Sequence, residues 1–595
     1  KVGLIKFDFL GLTTLSIINN CIQLIKKENP DFCIEKIPIN DQKTFLELSK
    51  GDAVGIFQLE SNGMGSVLRQ LQPDKIEEII AVVALFRPGP MDNIPSFCNR
   101  KHGREKIEYL LTLLEDVLKE TYGIIVYQEQ VMQIAQVLSN YSLGEADLLR
   151  RAMGKKIQKE MDDQKNRFIE GALKNNISEQ ESSKIFDLVN KFAGYGFNKS
   201  HAASYALIAY QTAYLKSNFS YEFMTDTLNY SIDRTDKIIL LKKELDRLNI
   251  DLLKPDINYS NELFSIELNQ NKSKCIRFGL AAIKGVGLKS ISNLIKDRDN
   301  KGQYNDIIDF MQRLTGEVIN KRQLEKLIQA GAFDSLEKNR AMLFENVSKF
   351  VELFGGELKN QNQEMLFDDH KINYKDKNLF FQNIDNWNST QLLNNELEVI
   401  GFYFSDHPLN YYPADFFKKF SILDFKEILQ DKNIQSAKIA GAILDIKERS
   451  NKNGKKYAFV TVSGITNQFE LTIFSDNLTK YRSILKEGNV LIFEIEVLRN
   501  IQDVRFIIKN IDFFSKIFDQ FNKNLNIYIT PNNLIKYKDS LFVDDTNLDQ
   551  NIYIYLNIDH KLVNLDFKKK YSINSFKYLD ELSNAKKLDY SIEIT

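Results

Sequence analysis

At about residue 436 the hydrophobic period of this chain changes, and that change divides what it can fold into. From about 40 to 250 apolar residues recur at helical spacing, broken by glycine- and proline-marked joints: GIFQLES, LFRPGPM, TYGIIVYQEQ and KFAGYGFNKSHAASYA. From about 436 to 510 they alternate instead, in AKIAGAILDIKER, KKYAFVTVSG, QFELTIF, VLIFEIEVL and VRFIIKN, with a Gly-Lys turn at Gly454. Side chains that alternate along a strand line one buried face, so five short strands of this kind predict a small barrel. One core cannot serve both textures, and 595 residues predict about three to five domains.

The flanks read less sharply. Residues 1 to 9 predict a strand running into a helix from Leu12 to Lys26, with Thr13 or Thr14 near its cap. The first residue, Lys1, falls inside an apolar strand-like pattern, VGLIKFDF, which leads us to expect further sequence upstream. Short helical segments surround FGLAAIKGVGLKSI and LIQAGAFDSL, and a stretch near 357 to 379, rich in Asn, Gln, Asp and Lys, reads as a linker. The last 85 or so residues predict a small α/β domain. The fold class is therefore multidomain α+β.

A hydrophobic content of 43%, 27% charged residues and only 10 prolines exclude a disordered or fibrous chain. The formal net charge is -1, so any phosphate-binding surface has to be a local patch. Cys21, Cys33, Cys98 and Cys275 lack metal-ligand or disulfide spacing, as expected in a reducing cytoplasm. No run of about 18 apolar residues marks a membrane span.

Several residues stand out chemically. Asp8 sits between Phe7 and Phe9 on the first strand, where a carboxylate must be paired, metal-bound or turned to water. In SLGEADLLRRAMGKK, Ser142 and Glu145 form a capping box, and Arg151 and Lys155 share a helix face at i, i+4, as a solvated basic face or an anion site. Ser200 as N-cap would set Lys199 and His201 at a helix N-terminus whose free N–H groups favour phosphate, with Tyr205 one turn on; a capping or core role is the plain alternative. Arg87 precedes the stiff turn Pro88-Gly89-Pro90 and is either presented in a fixed direction or an ordinary surface arginine.

Further along, Gly285 and Gly287 predict a hairpin between two helices that offers N–H groups to a DNA phosphate, flanked by Lys284 and Lys289, although a plain helix-helix turn reads similarly. Gln363, Leu366 and Phe367 are apolar or amide anchors on the polar linker, suited to a pocket-binding peptide or to packing on its own domain. On the barrel, Lys447, Arg449, Lys455, Lys456, Tyr457 and Phe459 are basic and aromatic candidates for single-stranded nucleic acid, some of them fillers of the core.

The string KFDFLGL around Asp8 resembles the third catalytic motif of the bacterial C-family DNA polymerases, the alpha subunits of DNA polymerase III. FQLES, RPGPM, YQEQVM, RRAMGKK and FNKSHAASYA follow in the order of that family's fingers motifs. The resemblance implies the end of an incomplete palm (1–40), fingers (41–250), a tandem helix-hairpin-helix domain (251–356), a linker with a clamp-binding peptide (357–380), a connecting segment (381–435), an OB-fold (436–510) and a clamp-loader-binding domain (511–595). NELEVIGFYFSDHPL, Asn395 to Leu409, matches a family segment and is given a structural role.

By the same resemblance the intact protein adds dNTPs to a primer 3′-hydroxyl. Asp8 would be one ligand of two Mg²⁺ ions, the other aspartates lie upstream of this sequence, and the fragment alone would be inactive. Arg87, Arg151, Lys155, Lys199, His201 and Tyr205 would contact nucleotide. Lys284, Gly285, Gly287, Lys289, Lys447, Lys455 and Tyr457 would contact DNA, and Gln363, Leu366 and Phe367 the sliding clamp. Primer-template DNA, dNTP, the clamp, a clamp-loader subunit and a proofreading exonuclease subunit are the implied partners, in a bacterial cytoplasm. A damage-tolerant polymerase of the same family and a noncatalytic DNA-binding module are the competing readings.

Overall fold

The alternating segments close into a barrel in the computed structural model of the chain. It describes residues 11–155, 158–193, 195–269, 271–314, 319–355, 384–451, 454–465, 468–499, 504–519, 523–544, 550–558, 561–565, 571–573, 579, 582–583 and 585–594. Asp8, Gln363, Leu366 and Phe367 lie outside the described residues. Two compact units result, one from Lys1–Leu252 with Ile266–Ile276, the other from Leu253–Ser265 with Arg277–Thr595.

In the second unit the barrel strands are Ser436–Ser450, Lys456–Ser463, Gln468–Phe474, Val490–Arg499 and Val504–Phe513. They close in the order first, second, third, fifth, fourth, with the third and fifth parallel and the other recorded pairings antiparallel. Inward residues such as Ala458, Val460, Val462, Leu471, Ile473, Leu491 and Phe493 are fully buried, as the period of two requires. This is the five-stranded, OB-like barrel the sequence pattern predicts.

The segment Asn395 to Leu409 fastens to that barrel. His407 accepts the Leu409 N–H at Nδ1 (3.2 Å), which leaves Nε2 to donate to the Ser463 carbonyl at 3.1 Å, so the ring is held as one tautomer. Glu396, on the helix Ser389–Ile400, is buried against Arg340 at 2.8 Å and accepts the Ser405 N–H. Arg340 completes its fork on Asp334, with contacts of 2.7 and 2.6 Å. A buried carboxylate needs such a partner, because the charge has no water to return to.

The glycine hairpin precedes the helix Leu288–Lys301, but only the 3-10 turn Leu280–Ala282 stands before it, not the helix that the sequence suggests. Too few residues separate Phe278 from Gly285 for a longer helix, and the Lys284 N–H is engaged by the Val399 carbonyl at 2.9 Å. Beyond the barrel, Lys523–Ile529, Gln550–Ile558, Lys561–Leu565 and Leu588–Ile594 form a four-stranded sheet. The first two are parallel, with the helix Pro531–Leu541 between them in the chain, an α/β arrangement.

In the helical unit two apolar cores share a wall. One gathers Phe45, Leu48, Leu68, Ile79, Val82 and Tyr210, the other Ile134, Leu138, Leu149, Phe168 and Phe186. The extended run between Thr121 and Gln128 sends Ile124 and Val126 into the first and Ile125 into the second. Alternation along an extended backbone lets one short segment serve both sides. Among the described residues no helix is long and apolar enough to cross a membrane.

Arg340→Met should strand Glu396 as an uncompensated buried charge. The expected loss is about 3–5 kcal/mol, read as an earlier denaturant midpoint, whereas Lys321→Met, in an exposed pair with Glu325, should move the midpoint by less than about 1 kcal/mol.

Candidate nucleotide-binding edge

YQEQ and FNKSH, separated by about seventy residues in the chain, meet side by side. Tyr127 and Phe197 form a parallel bridge, with the Gln128 N–H donating to the Phe197 carbonyl at 2.9 Å and the Phe197 N–H to the Val126 carbonyl at 3.2 Å. Each strand residue is followed at once by a helix, Gln128–Ser139 and Lys199–Asn218, so two helix N-termini come together.

Every member of YQEQ has work at this joint. Gln130 Oε1 accepts the N–H groups of Val126 and Tyr127 at 2.8 and 3.0 Å, closing its own helix start. Glu129 accepts the Lys199 N–H and the Asn198 amide, both at 3.0 Å, closing the neighbouring one. Gln128 donates to the Gly196 carbonyl at 3.0 Å. The Tyr127 ring fills the first core, yet its hydroxyl, on a side chain 1% exposed, has no hydrogen-bond partner among the described residues. Burial, followed by the nearby carboxylates Glu120, Glu129 and Glu77, pushes that phenol's pKa upward.

The N-cap here is Asn198, whose side chain accepts the His201 N–H at 2.8 Å, and not Ser200. Asn198 precedes the first helical residue, the place from which a side-chain oxygen reaches back to the third N–H. With the Lys199 N–H given to Glu129, little of the helix N-terminus is left for an anion. Side chains, not backbone N–H groups, must supply the charge.

Arg87 and Lys199 supply it from the two sides of the Tyr127–Phe197 bridge. Arg87 lies over the Phe197 ring, its guanidinium carbon 4.2 Å from the centroid, and donates to the carbonyls of Ala84 and Tyr195, each at 2.9 Å. Burial lowers its pKa from the usual guanidinium value. Gly89 in the Pro-Gly-Pro turn has φ +99°, and a Cβ there would stand 3.0 Å from the Tyr195 ring. Glycine is thus needed both for the left-handed backbone and for the close approach.

Rings then run in a file: Phe197 to His201 at 5.4 Å, His201 to Tyr205 at 4.5 Å, and Tyr205 to Phe57 of FQLES at 5.3 Å. The file forms the exposed to half-buried face of the helix Lys199–Asn218. Lys199 reaches Glu120 at 2.7 Å and lies 5.4 Å from the Tyr127 ring centroid.

The structure thus links Arg87, His201 and Tyr205 through Phe197, while the Lys199 side chain contacts Glu120 and the Tyr127 ring on the other member of the bridge. Arg151 is 62% exposed and paired with Asp147 one turn back. Its neighbour Arg150 shares Asp147 and also reaches the joint, donating to Gln128 Oε1 at 3.4 Å. Arg150 also holds Asp147 below the usual carboxylate range, with Arg151 beside it. The capping box of Ser142 and Glu145 is present, with bonds of 2.7 and 3.3 Å; Lys155 ends that helix, and its side chain lies outside the described residues. Arg150, Gln128, Glu129 and Phe57 belong to the quoted motifs RRAMGKK, YQEQVM and FQLES but are not among the site residues named from the sequence; for Gln128 and Glu129 the dense polar run QEQ at a helix start is the signal.

In the second unit, Lys284, Gly285, Gly287 and Lys289 are all exposed, and Gly287 caps its helix without a side chain. Gly285 adopts φ +82°. On the barrel, register sets Lys447 opposite Phe459 and Arg449 opposite Tyr457, and Tyr457 opposite the exposed Phe474. The outward residues of three strands therefore make one basic and aromatic face, with Lys455 exposed in the turn beside it.

Similarity to known proteins follows the same layout. The family model described as the bacterial DNA polymerase III alpha subunit finger domain matches residues 14–176, and a helix-hairpin-helix motif matches 249–343. The DNA polymerase III subunit alpha of Caulobacter vibrioides is 39% identical over 89% of this chain and 46% of its own length. That of Borreliella burgdorferi is 37% identical over 99% of this chain and 51% of its own, and that of Campylobacter jejuni 41% over 82% and 41%. The chain spans about half the length of the curated relatives it matches. Among solved structures, a mitochondrial single-stranded DNA binding protein from S. cerevisiae covers 13% of this chain at 17% identity and a TM-score of 0.12, too slight a likeness to carry an argument.

Glu129→Ala should loosen the joint by removing the acceptor of two hydrogen bonds. The expected cost is about 1–3 kcal/mol, measured by thermal or denaturant unfolding.

Proposed function

Because the chain belongs to the bacterial DNA polymerase III alpha subunit family, we propose that it is the nucleotide- and DNA-gripping part of a DNA-directed DNA polymerase, with Arg87, Lys199, His201 and Tyr205 facing the incoming dNTP. The observation that supports this is the joint of YQEQ with FNKSH, which carries a guanidinium fixed on Phe197 and a file of rings, with the Lys199 ammonium held at the bridge by Glu120. The reaction implied is attack of a primer 3′-hydroxyl on a dNTP α-phosphate, with pyrophosphate leaving.

Within it these side chains divide the labour. Lys199 and Arg87 neutralise phosphate charge, Lys as a swinging point charge and Arg as a plane already fixed on Phe197. His201 and Tyr205 offer ring faces beside sugar and base. Arg151 and Lys155 extend the positive charge along the neighbouring helix. Such groups work best when positioned before the reaction, because they then need no reorganisation as charge develops.

The divalent metals of this chemistry stabilise the attacking and leaving oxygens. Asp8 is the ligand this chain offers toward them; it lies outside the described residues, among which no group of three His, Cys, Asp or Glu could hold a metal ion. The contribution proposed for the described part is therefore binding and orientation.

DNA is gripped at two further places in this reading. The exposed glycine hairpin with Lys284 and Lys289 takes a backbone phosphate through its N–H groups, and the barrel face of Lys447, Lys455 and Tyr457 takes single-stranded template. Gln363, Leu366 and Phe367 are proposed to dock on a sliding clamp, residues 511–595 on a clamp-loader subunit, and an exonuclease subunit to bind outside this chain. The bacterial cytoplasm is the corresponding location.

Primer extension by the full-length protein tests the reading. Asp8→Asn should abolish extension while salt-sensitive DNA binding persists, and Lys199→Gln should raise the KM for dNTP; undiminished extension by both variants would refute it. On the barrel, Tyr457→Ala should weaken binding of single-stranded DNA by about 1–3 kcal/mol, measured by fluorescence anisotropy.

A further inference from the structure

We propose that Glu120 is a built-in competitor for the phosphate that Lys199 receives, and that the buried Tyr127 hydroxyl is the donor that takes Glu120 over once Lys199 leaves it. The inference rests on the nucleotide-binding role assigned above to Lys199.

Two independent observations meet at this point. Lys199 Nζ is already occupied, 2.7 Å from Glu120 Oε2, and the two side chains are 39% and 31% exposed, so an arriving anion can reach them. Its backbone cannot follow a ligand, because its N–H is bound by Glu129 at 3.0 Å; only the side chain can swing. Lys199 Nζ lies 5.4 Å from the centroid of the Tyr127 ring, Glu120 is among the carboxylates whose charge acts on that phenol, and its buried hydroxyl has no hydrogen-bond partner among the described residues. Folded proteins rarely leave such a donor unused, because burying it unpaired is costly.

Together these make a two-position device. In the free protein Glu120 holds Lys199 and the tyrosine waits. A triphosphate carries several negative charges against the single charge of one carboxylate, so it draws Lys199 away. Glu120, on the 3-10 turn Lys119–Thr121, is then left without its cation and turns to the idle Tyr127 O–H. An anion of lower charge, such as a monophosphate, gains less by displacing Glu120. The residue therefore tunes the edge toward polyanionic nucleotides and against weaker anions, and Glu120 and Tyr127 are positioning residues acting through Lys199.

Steady-state primer extension by the full-length protein tests this, with KM for dNTP and inhibition by a deoxynucleoside monophosphate measured in each variant. Glu120→Gln should lower the KM about two- to five-fold, the scale of a partly exposed ion pair, and make the monophosphate a stronger inhibitor. The KM gain should vanish in a Lys199→Gln background. Tyr127→Phe should raise the KM without lowering the melting temperature, and Glu120→Asp should give an intermediate KM if Glu120→Gln misfolds. An unchanged or raised KM in Glu120→Gln, or the same drop with Lys199→Gln present, would overturn the proposal while leaving the polymerase reading intact. A wild-type KM in Lys199→Gln would overturn the role of Lys199 and this inference together.

Discussion

The parallel bridge between Tyr127 and Phe197 is the contact on which the candidate site depends. Two short extended segments, each followed at once by a helix, can pair only if the N–H groups at both helix starts find acceptors, since each start exposes several orphan donors. Gln130 closes one start from within its own segment, and Glu129 closes the other from across the joint, so one capping group is also a cross-link. Once that pairing is made, Phe197 becomes the floor under Arg87 and the first of the file of rings, and Lys199 is anchored by its own backbone. The edge follows from hydrogen-bond satisfaction rather than from any excess of positive charge.

That local logic explains how a chain of net charge -1 can offer phosphate-binding surfaces. At the joint, Glu120 balances Lys199, and Asp147 is shared by Arg150 and Arg151. On the barrel, the outward face pairs Lys447 and Arg449 with Phe459 and Tyr457 across strands, while the inward face of the same strands is apolar. Alternation thus separates a surface for nucleic acid from a core without any change in composition.

Where the sequence was most periodic it was most legible. The five barrel strands lie where the alternation predicts, and the helical unit where the helical spacing does, because burial enforces both periods. The cap of the helix Lys199–Asn218 was misplaced by two residues, from Asn198 to Ser200: Ser and Asn are both good caps, and only the bridge to Tyr127 decides where the helix begins. The helix expected before the glycine hairpin shrank to a 3-10 turn for a similar reason, a tertiary bond from Lys284 to Val399. Arg151 and Arg150 could not be told apart by spacing; the choice is made by Gln128, about twenty residues away in the chain. Distant partners of this kind leave no local periodicity to read.

The central claim is that nucleotide is received where YQEQ meets FNKSH. Hydrogen exchange in the full-length protein on primer-template DNA, with and without the matching dNTP, addresses it most directly. The account predicts that added dNTP slows amide exchange in 120–129 and 195–205 together. Protection confined to other segments, with both of these unchanged, would contradict it.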